Sequence, residues 1–254
     1  MSKFYRSHRT RNLYKSGSEK PFKISRSKID LFVQCPRCFY IDRRLGTGRP
    51  PGYPFNLNSA VDTLLKAEFD THRSAGTAHP LQEAHGLASV PAPHVEIDAW
   101  RDSLKGVQYY HEPTNLIITG AIDDLWIDSD ENYIVVDYKA TAKKEPGREL
   151  NQEWQSGYKR QMEIYQWLLR RNGLLVSDTA YFVYCTGRPN AEAFNARIDF
   201  DICLIPYEGS DDWVEPKIFE LHACLNQDVI PSADENCDYC AYTQAVAGIS
   251  AYEA

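Results

Sequence analysis

The stretch YIVVDYKA, residues 133–140, is the feature that most constrains how this chain can fold. Its run of apolar residues predicts a buried strand, yet Asp137 and Lys139 lie within it. Burying a charge without a partner costs free energy, so the fold must supply partners for both side chains. The turn residues SDEN precede this strand, and the strand-like segment LIITGAIDDLWID precedes the turn, which predicts a hairpin.

The register of this hairpin follows if the SDEN turn is at its centre. Asp123 then lies opposite Asp137, and opposed residues on neighbouring strands are only about 5 Å apart. Lys139 shares their face because side chains alternate along a strand, whereas Asp124 and Tyr138 are expected on the other face. Two carboxylates so close repel each other unless a proton or a cation lies between them.

A hard divalent cation is one solution to this repulsion, because Mg²⁺ binds carboxylate oxygens together with water and phosphate oxygens. The pattern therefore predicts that Asp123 and Asp137 bind Mg²⁺ or Mn²⁺. Lys139 lies about 6.6 Å along the strand from Asp137, within reach of the same space, where it can position a water or stabilise charge on phosphorus. The alternative is a simple Asp–Lys salt bridge, or an exposed strand end.

Other elements follow from hydrophobic spacing and from capping and turn residues. No firm element is predicted for residues 74–104, and the order helix, meander, helix, strand indicates an α/β or α+β domain around a mixed sheet. The expected elements are a helix beginning near Ser25 or Ser27 and interrupted at Pro36, a helix capped by Asn58 or Ser59, strands at GVQYYH, LIITGAIDDLWID and YIVVDYKA, a helix from Asn151 to Gly173, strands at TAYFVYCTG and ARIDFDICLIPY, and a helix at DDWVEPKIFELHACLN.

The segments GAIDDLWID and IVVDYKA resemble the PD-(D/E)XK nuclease superfamily, and in particular its RecB-like branch. QMEIYQWLL on the following helix resembles the Q-x-x-x-Y motif of that branch, which carries over onto Gln161 and Tyr165. The resemblance implies an α/β restriction-endonuclease-like core, a mixed β-sheet flanked by helices. It adds Gln161 and Tyr165 to Asp123, Asp137 and Lys139 as catalytic residues.

The same resemblance implies a DNA nuclease that requires Mg²⁺ or Mn²⁺ and acts as an exonuclease rather than an endonuclease. Its substrate would be DNA with single-stranded character, in repair, recombination or defence, alongside a helicase or another protein of such a pathway. Where relatives often have a histidine on the early helix, this chain has Asp62. Either Asp62 or Glu68 serves as a further metal ligand, or this helix contributes none.

Two C-x-x-C pairs about 200 residues apart have the spacing of a four-cysteine metal site: Cys35 with Cys38, and Cys237 with Cys240. This spacing is compatible with zinc and with an iron–sulfur cluster. AddB-type and CRISPR-associated RecB-like exonucleases, to which the chain is similar, hold a 4Fe–4S cluster that joins N- and C-terminal segments. They usually supply one early and three late cysteines, whereas this chain supplies two and two. Either Cys38 replaces the missing ligand, or the metal is zinc, or the cluster is lost and the four are reduced packing cysteines.

The net charge of -7 argues weakly against a nucleic-acid partner, but nine of the 28 Lys and Arg residues lie within residues 1–28. This basic segment is either a solvated tail or an arm that contacts phosphates. No apolar run is long enough to span a bilayer or to form a secretory signal, so no membrane partner and a cytoplasmic location are expected. The predicted organisation is a flexible basic tail at 1–24, a single nuclease domain with its cysteine site at 25–245, and a tail at 246–254.

Three functions are compatible with these motifs. The leading prediction is the metal-dependent DNA nuclease described above. The second is a catalytically inactive nucleic-acid-binding module of the same fold, with a structural iron–sulfur or zinc site. The third is a structural or redox-sensing metal protein whose carboxylates only form salt bridges.

Overall fold

The computed structural model describes residue 5 and residues 7–52, 55–143 and 149–250. Short non-α turns occur at Ile41–Leu45, Glu112–Thr114 and Glu153–Gln155. In chain order, the strands and α-helices are β1 (Phe22–Ser25), α1 (Arg26–Gln34), α2 (Pro36–Tyr40), α3 (Asn56–Ala75), α4 (Pro80–Ala84), β2 (Ser89–Pro91), α5 (Ile97–Arg101), β3 (Val107–His111), β4 (Leu116–Gly120), β5 (Asp124–Asp128), β6 (Tyr133–Ala142), α6 (Ser156–Arg171), β7 (Thr179–Gly187), β8 (Phe200–Glu208), α7 (Val214–Asn226) and α8 (Asp238–Ser250).

The described residues form two compact units, which lie within Met1–Tyr53, Tyr110–Ile118 and Asp212–Ala254 for unit 1, and within Pro54–Tyr109 and Thr119–Asp211 for unit 2. Unit 2 contains a mixed five-stranded sheet in the order β2-β5-β6-β7-β8. Only the β6–β7 pair is parallel, and α6 lies in the connection between them. The neighbouring pairs are antiparallel. The predicted α/β fold with a mixed sheet flanked by helices, as in a restriction-endonuclease-like core, is confirmed.

Each face of this sheet is covered by a different helix. Leu65 and Phe69 of α3 pack against Trp126 and Tyr138 in one buried apolar cluster. On the opposite face, Gln161 of α6 contacts a side chain of β6. Because side chains alternate along β6, its even-numbered residues meet α3 and its odd-numbered residues meet α6.

The segment LIITGAIDDLWID was expected to be one strand, and that expectation is wrong. The chain leaves β4 at Gly120 and enters β5 at Asp124. β4 lies between β1 and β3 in a separate three-stranded sheet. Between the two strands, the Ile122 backbone N–H donates to the carbonyl of Trp100 rather than to a strand partner. The break leaves Asp123 just outside the regular strand.

Two predicted helix starts were also wrong. The helix expected at Asn58 or Ser59 begins at Asn56 with Phe55 as its N-cap, and the Asn58 amide instead donates to the carbonyl of Ala140. The helix expected to be capped by Asn151 begins only at Ser156, after a tight turn at Glu153–Gln155. The short strand β2 falls in the region where nothing was predicted, since three residues are too few to show a period.

Unit 1 contains α1, α2, α7 and α8. The break between α1 and α2 falls where predicted, since Pro36 is the first residue of α2. Part of the basic segment makes defined contacts here: Arg9 donates to the buried carboxylate of Asp42, and the Tyr14 N–H to the carbonyl of Arg43. The division into tails and one domain stays a prediction, and residues 1–4, 6 and 251–254 lie outside the described residues.

Among the described residues, no helix is both long and apolar enough to cross a membrane.

Candidate active site

Asp123 and Asp137 are brought together by the register of the β5–β6 hairpin. Leu125 pairs with Val135, as the sequence predicts, and continuing this register places Asp123 opposite Asp137. The Asp123 carboxylate accepts a hydrogen bond from the backbone N–H of Tyr138 at 3.0 Å. This bond fixes the Asp123 side chain beside the β6 backbone, although Asp123 itself precedes the regular strand.

Asp137 is fully buried, at 0% exposure, and both of its carboxylate oxygens have contacts. Oδ1 accepts a hydrogen bond from the Gln161 amide at 2.7 Å, and Oδ2 forms an ion pair with the Lys139 ammonium group. The Lys139 Nζ also lies 4.7 Å from the centre of the Tyr158 ring. The charges that the sequence placed in a buried strand therefore have the partners that burial requires.

The carboxylates nevertheless leave a deficit of positive charge. Burial and the nearby charge of Asp137 raise the pKa of Asp123 to about 7, although Lys139, Lys66 and the Tyr138 N–H act in the opposite direction. A carboxyl group with this pKa holds a proton for part of the time near neutral pH. A cation placed between the two carboxylates would remove the need for that proton.

Gln161 and Tyr165 lie one turn apart on α6 and face the carboxylates. The Gln161 amide nitrogen contacts the Tyr165 hydroxyl at 3.0 Å as well as Asp137, so one amide connects both groups. The Tyr165 ring packs against Gly120 so closely that a Cβ at this glycine would lie 2.7 Å from a ring carbon. The structure therefore brings Gln161, Tyr165 and the hairpin residues into one group.

Of the two acidic candidates on α3, only Asp62 faces this group. Its carboxylate accepts a hydrogen bond from Lys66 at 2.9 Å, and the Lys66 Nζ is 3.8 Å from Asp123 Oδ1. Burial, together with the charge of Asp123, raises the pKa of Asp62, while Lys66 lowers it. Glu68 instead contacts His79 at 3.0 Å. Sequence reasoning missed Lys66, although its spacing of four residues from Asp62 was the signal.

Asp124 points to the other face of the sheet, as predicted. Its buried carboxylate accepts hydrogen bonds from Arg73 and Arg101 and, at 2.7 Å, from the Tyr138 hydroxyl. Both guanidinium groups also bind Asp70. This cluster contains as many arginines as aspartates, so its charges are already balanced.

A cleft of about 790 Å³ adjoins Lys139. Two of its aromatic side chains are largely open to solvent: Phe55 is 76% exposed and Trp154 is 57% exposed. The Lys143 ammonium group lies 5.4 Å from the centre of the Trp154 ring. The aromatic residues that line the cleft are Phe55, Tyr138, Trp154, Tyr158, Tyr184 and Phe200.

The two carboxylates fit a hard divalent cation. Asp123 is 24% exposed at its side chain, so a cation and its waters can reach the pair from solvent. Oxygen ligands from one or two carboxylates, completed by water and phosphate oxygens, suit Mg²⁺ and Mn²⁺. Burial and the same crowding of the two carboxylates raise the pKa of Asp123, as expected for a pair that favours a positive partner.

The four cysteines also come together, within unit 1. Cys35 links α1 to α2, Cys38 lies in α2, Cys237 precedes α8 and Cys240 lies in its first turn. Their sulfur atoms all lie within 4.8 Å of one another, which places a possible metal site where the sequence predicts it. The remaining cysteines, Cys185, Cys203 and Cys224, do not belong to this group.

The sequence model of the PD-(D/E)XK nuclease superfamily matches residues 56–245. Because the match covers most of the chain, this protein belongs to the PD-(D/E)XK nuclease superfamily. Among solved structures, the chain is similar to one titled "Crystal structure of SSO0001", with 15% identity, a TM-score of 0.40, and coverage of 90% of this chain and 86% of that chain. At this identity and TM-score, the likeness supports no conclusion about the fold or the function of this protein. No curated protein matches the chain.

Proposed function

We propose that this protein is a deoxyribonuclease that hydrolyses phosphodiester bonds with the help of Mg²⁺ or Mn²⁺. Membership of the superfamily supports nuclease activity in general. The observation that carries the metal-dependent mechanism is the convergence of Asp123, Asp137 and Lys139, in which the pKa of Asp123 is raised to about 7 by burial and by Asp137.

Asp123 and Asp137 would hold the divalent ion. When bound, such an ion lowers the pKa of a coordinated water and neutralises charge on the phosphate. The protein orients both ligands in advance: the Tyr138 N–H holds Asp123, and the Gln161 amide holds Asp137. Ligands that are already oriented lose little freedom during the reaction.

Besides the metal ion, the ammonium group of Lys139 would provide positive charge beside the two carboxylates. Its ammonium group contacts the Asp137 carboxylate and borders the cleft, so a phosphate bound beside the carboxylates lies within its reach. There it can donate hydrogen bonds to the attacking water or to the phosphoryl oxygens, on which negative charge develops. Tyr165 acts through Gln161 and positions the amide that holds Asp137.

The direct test is DNA cleavage by the full chain with Mg²⁺ or Mn²⁺, compared with Asp137→Asn. We expect this variant to lose at least about a thousandfold in rate, because several kcal/mol of transition-state stabilisation are removed and about 1.4 kcal/mol corresponds to a factor of ten. Asp130→Asn is the matched control, since Asp130 is an exposed carboxylate in the turn of the same hairpin. Wild-type protein that binds DNA without cutting it would instead identify an inactive binding module.

We also propose that the substrate has single-stranded character. Phe55 and Trp154 offer exposed ring faces in the cleft beside Lys139, and Lys143 lies next to Trp154. Unpaired bases stack on aromatic rings, while neighbouring lysines attract the phosphates. In a duplex, the base faces are already stacked on each other and are not available to such rings.

Trp154→Ala tests this preference. Stacking of one base is worth about 1–3 kcal/mol, so we expect affinity for single-stranded DNA to fall roughly tenfold or more, with little change for duplex DNA. Tyr242→Ala is the control, because Tyr242 is an exposed aromatic residue outside the cleft. Equal losses for single- and double-stranded DNA would contradict the proposal.

We assign the protein to the RecB-like branch and propose exonuclease action in repair, recombination or defence, alongside a helicase or another protein of that pathway. The support is the Q-x-x-x-Y pair, Gln161 and Tyr165, which meets Asp137 through one amide. An exonuclease should degrade linear single-stranded DNA and leave the circular form of the same sequence intact. Cleavage of both forms at equal rates would identify an endonuclease.

A further inference from the structure

The four sulfur atoms in unit 1 are too close together for the 4Fe–4S cluster that the resemblance implies. Three of the distances between them are 3.8 Å for Cys35–Cys240, 3.6 Å for Cys38–Cys237 and 3.7 Å for Cys38–Cys240. In a four-iron cluster, each thiolate binds a different iron and points away from the centre. The body of the cluster therefore keeps the cysteine sulfurs well apart, and these distances leave no room for it.

The same distances fit one tetrahedral metal ion. Zinc binds thiolates at about 2.3 Å, and a tetrahedron with this bond length separates its sulfurs by about 3.8 Å. Three of the six sulfur–sulfur distances, at 3.6–3.8 Å, agree with this value, and all six are at most 4.8 Å. Disulfide bonds do not account for the arrangement, because all four cysteines are free.

Apolar packing does not explain the group either. Cys35, Cys237 and Cys240 are buried, yet the apolar side chains packed against them are only those of Cys38 and Ala233 among the described residues. The thiols thus face one another rather than a larger apolar core. Four thiols that converge in this way gain little from apolar packing, whereas a single metal ion would be bound by all four.

We propose that Cys35, Cys38, Cys237 and Cys240 bind a single Zn²⁺ ion. Soft thiolate ligands in a tetrahedron select zinc among the common divalent ions, and a closed set of four protein ligands is typical of a structural rather than a catalytic site. The ion connects the α1–α2 junction to α8, which are about 200 residues apart in the chain. This zinc site does not depend on the proposed nuclease activity.

Arg49 is the positioning residue of this site. Four thiolates outweigh the charge of one Zn²⁺ ion, so the bound site is negative. The Arg49 guanidinium group donates a hydrogen bond to the Cys237 sulfur at 3.3 Å, and it is held 4.6 Å from the centre of the Tyr239 ring and 2.9 Å from the Gln34 amide oxygen. Its charge and its hydrogen bond both stabilise a thiolate ligand.

Metal and sulfide analysis of the full chain, purified without oxygen and without added metal, tests the zinc site. We expect about one zinc per chain and no acid-labile sulfide. Replacement of the ion by Co²⁺ should give the strong visible absorption of tetrahedral cobalt thiolate. Iron with matching sulfide, one iron without sulfide, or four reactive thiols with no metal would each overturn the proposal, and the wild-type protein alone decides between these outcomes.

Two pairs of variants refine the assignment. Cys237→Ser should lose zinc, whereas Cys203→Ser should retain about one ion per chain, because Cys203 lies outside the group. Arg49→Gln should bind zinc roughly 10–100-fold more weakly in competition with a chelator, which is the usual effect of losing a residue that supports a metal ligand. Arg11→Gln is its control, as an exposed arginine of the basic segment. Equal affinities for the Arg49 and Arg11 variants would remove Arg49 from the site.

Discussion

Asp123 and Asp124 are neighbours in the chain, but their carboxylates lie on opposite faces of one hairpin and in opposite electrostatic conditions. On the Asp124 face, two aspartates meet two arginines, so the charges balance. Around Asp123, by contrast, three carboxylates form ion pairs with two ammonium groups among the described residues: Asp137 pairs with Lys139, while Asp62 and Asp123 both pair with Lys66 of α3.

This difference separates a structural cluster from a candidate catalytic site. Arg73 and Arg101 each bind two carboxylates, and the fixed fork of donors on a guanidinium group suits such contacts. A lysine presents a single mobile charge and leaves space for a metal ion and a phosphate. The excess of acid around Asp123 is therefore useful only if a cation from solution completes it.

The largest difference should appear in activity. We expect Asp123→Asn to lose divalent-ion binding and at least about a thousandfold in cleavage rate, because one of two metal ligands becomes neutral. The metal-free variant should be as stable as the wild type at pH 8, or more stable, since the repulsion from Asp137 is removed. Calorimetric titration with Mn²⁺, initial cleavage rates and thermal unfolding measure the three quantities.

If Asp123→Asn cleaves DNA at a rate within tenfold of the wild type, Asp123 is not a catalytic metal ligand.

Asp124→Asn should show the reverse behaviour. Removing one partner from a buried ion cluster costs about 3–5 kcal/mol of unfolding free energy, because the guanidinium groups of Arg73 and Arg101 keep their charges. Cleavage per folded molecule should stay within a few-fold of the wild type. Urea unfolding measures the loss, and Asp70→Asn is the control, since the more exposed Asp70 contacts the same arginines at lower cost.

An Asp124→Asn variant that is fully stable but inactive would contradict the comparison, because it would give Asp124 the catalytic role assigned to Asp123.

The hairpin itself could be predicted from the sequence because its information is local. Alternation and the SDEN turn were enough to place Asp123 opposite Asp137, and the Q-x-x-x-Y spacing placed Gln161 near Tyr165. The convergence of four cysteines from the two ends of the chain also followed from their spacing.

What the sequence did not reveal depends on contacts between distant segments. Arg73 and Arg101 neutralise Asp124 from α3 and α5, and nothing near Asp124 in the chain indicates them. Lys66 reaches Asp123 only because α3 packs beside the hairpin. The break after Gly120 was also missed; it coincides with contacts from distant segments, namely the Tyr165 ring against Gly120 and the Ile122 N–H bond to the Trp100 carbonyl.

The pH dependence of metal binding tests whether the Asp123 carboxyl group holds a proton that a cation must displace. The pKa of Asp123 is raised from 3.8 to about 7 in the metal-free fold, so the folded state holds a proton that the unfolded chain has lost between these values. This contribution to stability is therefore present at low pH and is lost as the pH rises towards 7. A divalent ion must displace the same proton.

We accordingly expect the affinity for Mn²⁺ to fall roughly tenfold for each pH unit below about 7 and to level off above it. Calorimetric titrations between pH 5 and pH 8 measure this slope, with thermal unfolding of the metal-free protein as the second readout. An affinity that does not change over this range would mean that Asp123 carries no proton for the ion to displace.

The smallest effects should come from one tyrosine on each face. Tyr138→Phe removes the hydroxyl that donates to Asp124 at 2.7 Å, and a hydrogen bond to a buried charge is worth about 1.5–3 kcal/mol of unfolding free energy. Tyr165→Phe removes the hydroxyl that contacts the Gln161 amide at 3.0 Å, a neutral bond worth about 1 kcal/mol.

The two tyrosine variants should differ in kind as well as in size. Tyr138→Phe should lose stability and keep its cleavage rate, because Asp124 takes no part in binding the metal ion. Tyr165→Phe should lose less stability but up to about tenfold in cleavage rate, since Gln161 then holds Asp137 with one constraint fewer. Urea unfolding and steady-state cleavage should be measured on both variants. If stability and cleavage rate fall together in both, the two faces of the hairpin act as one structural unit. The functional separation between Asp123 and Asp124 would then be wrong.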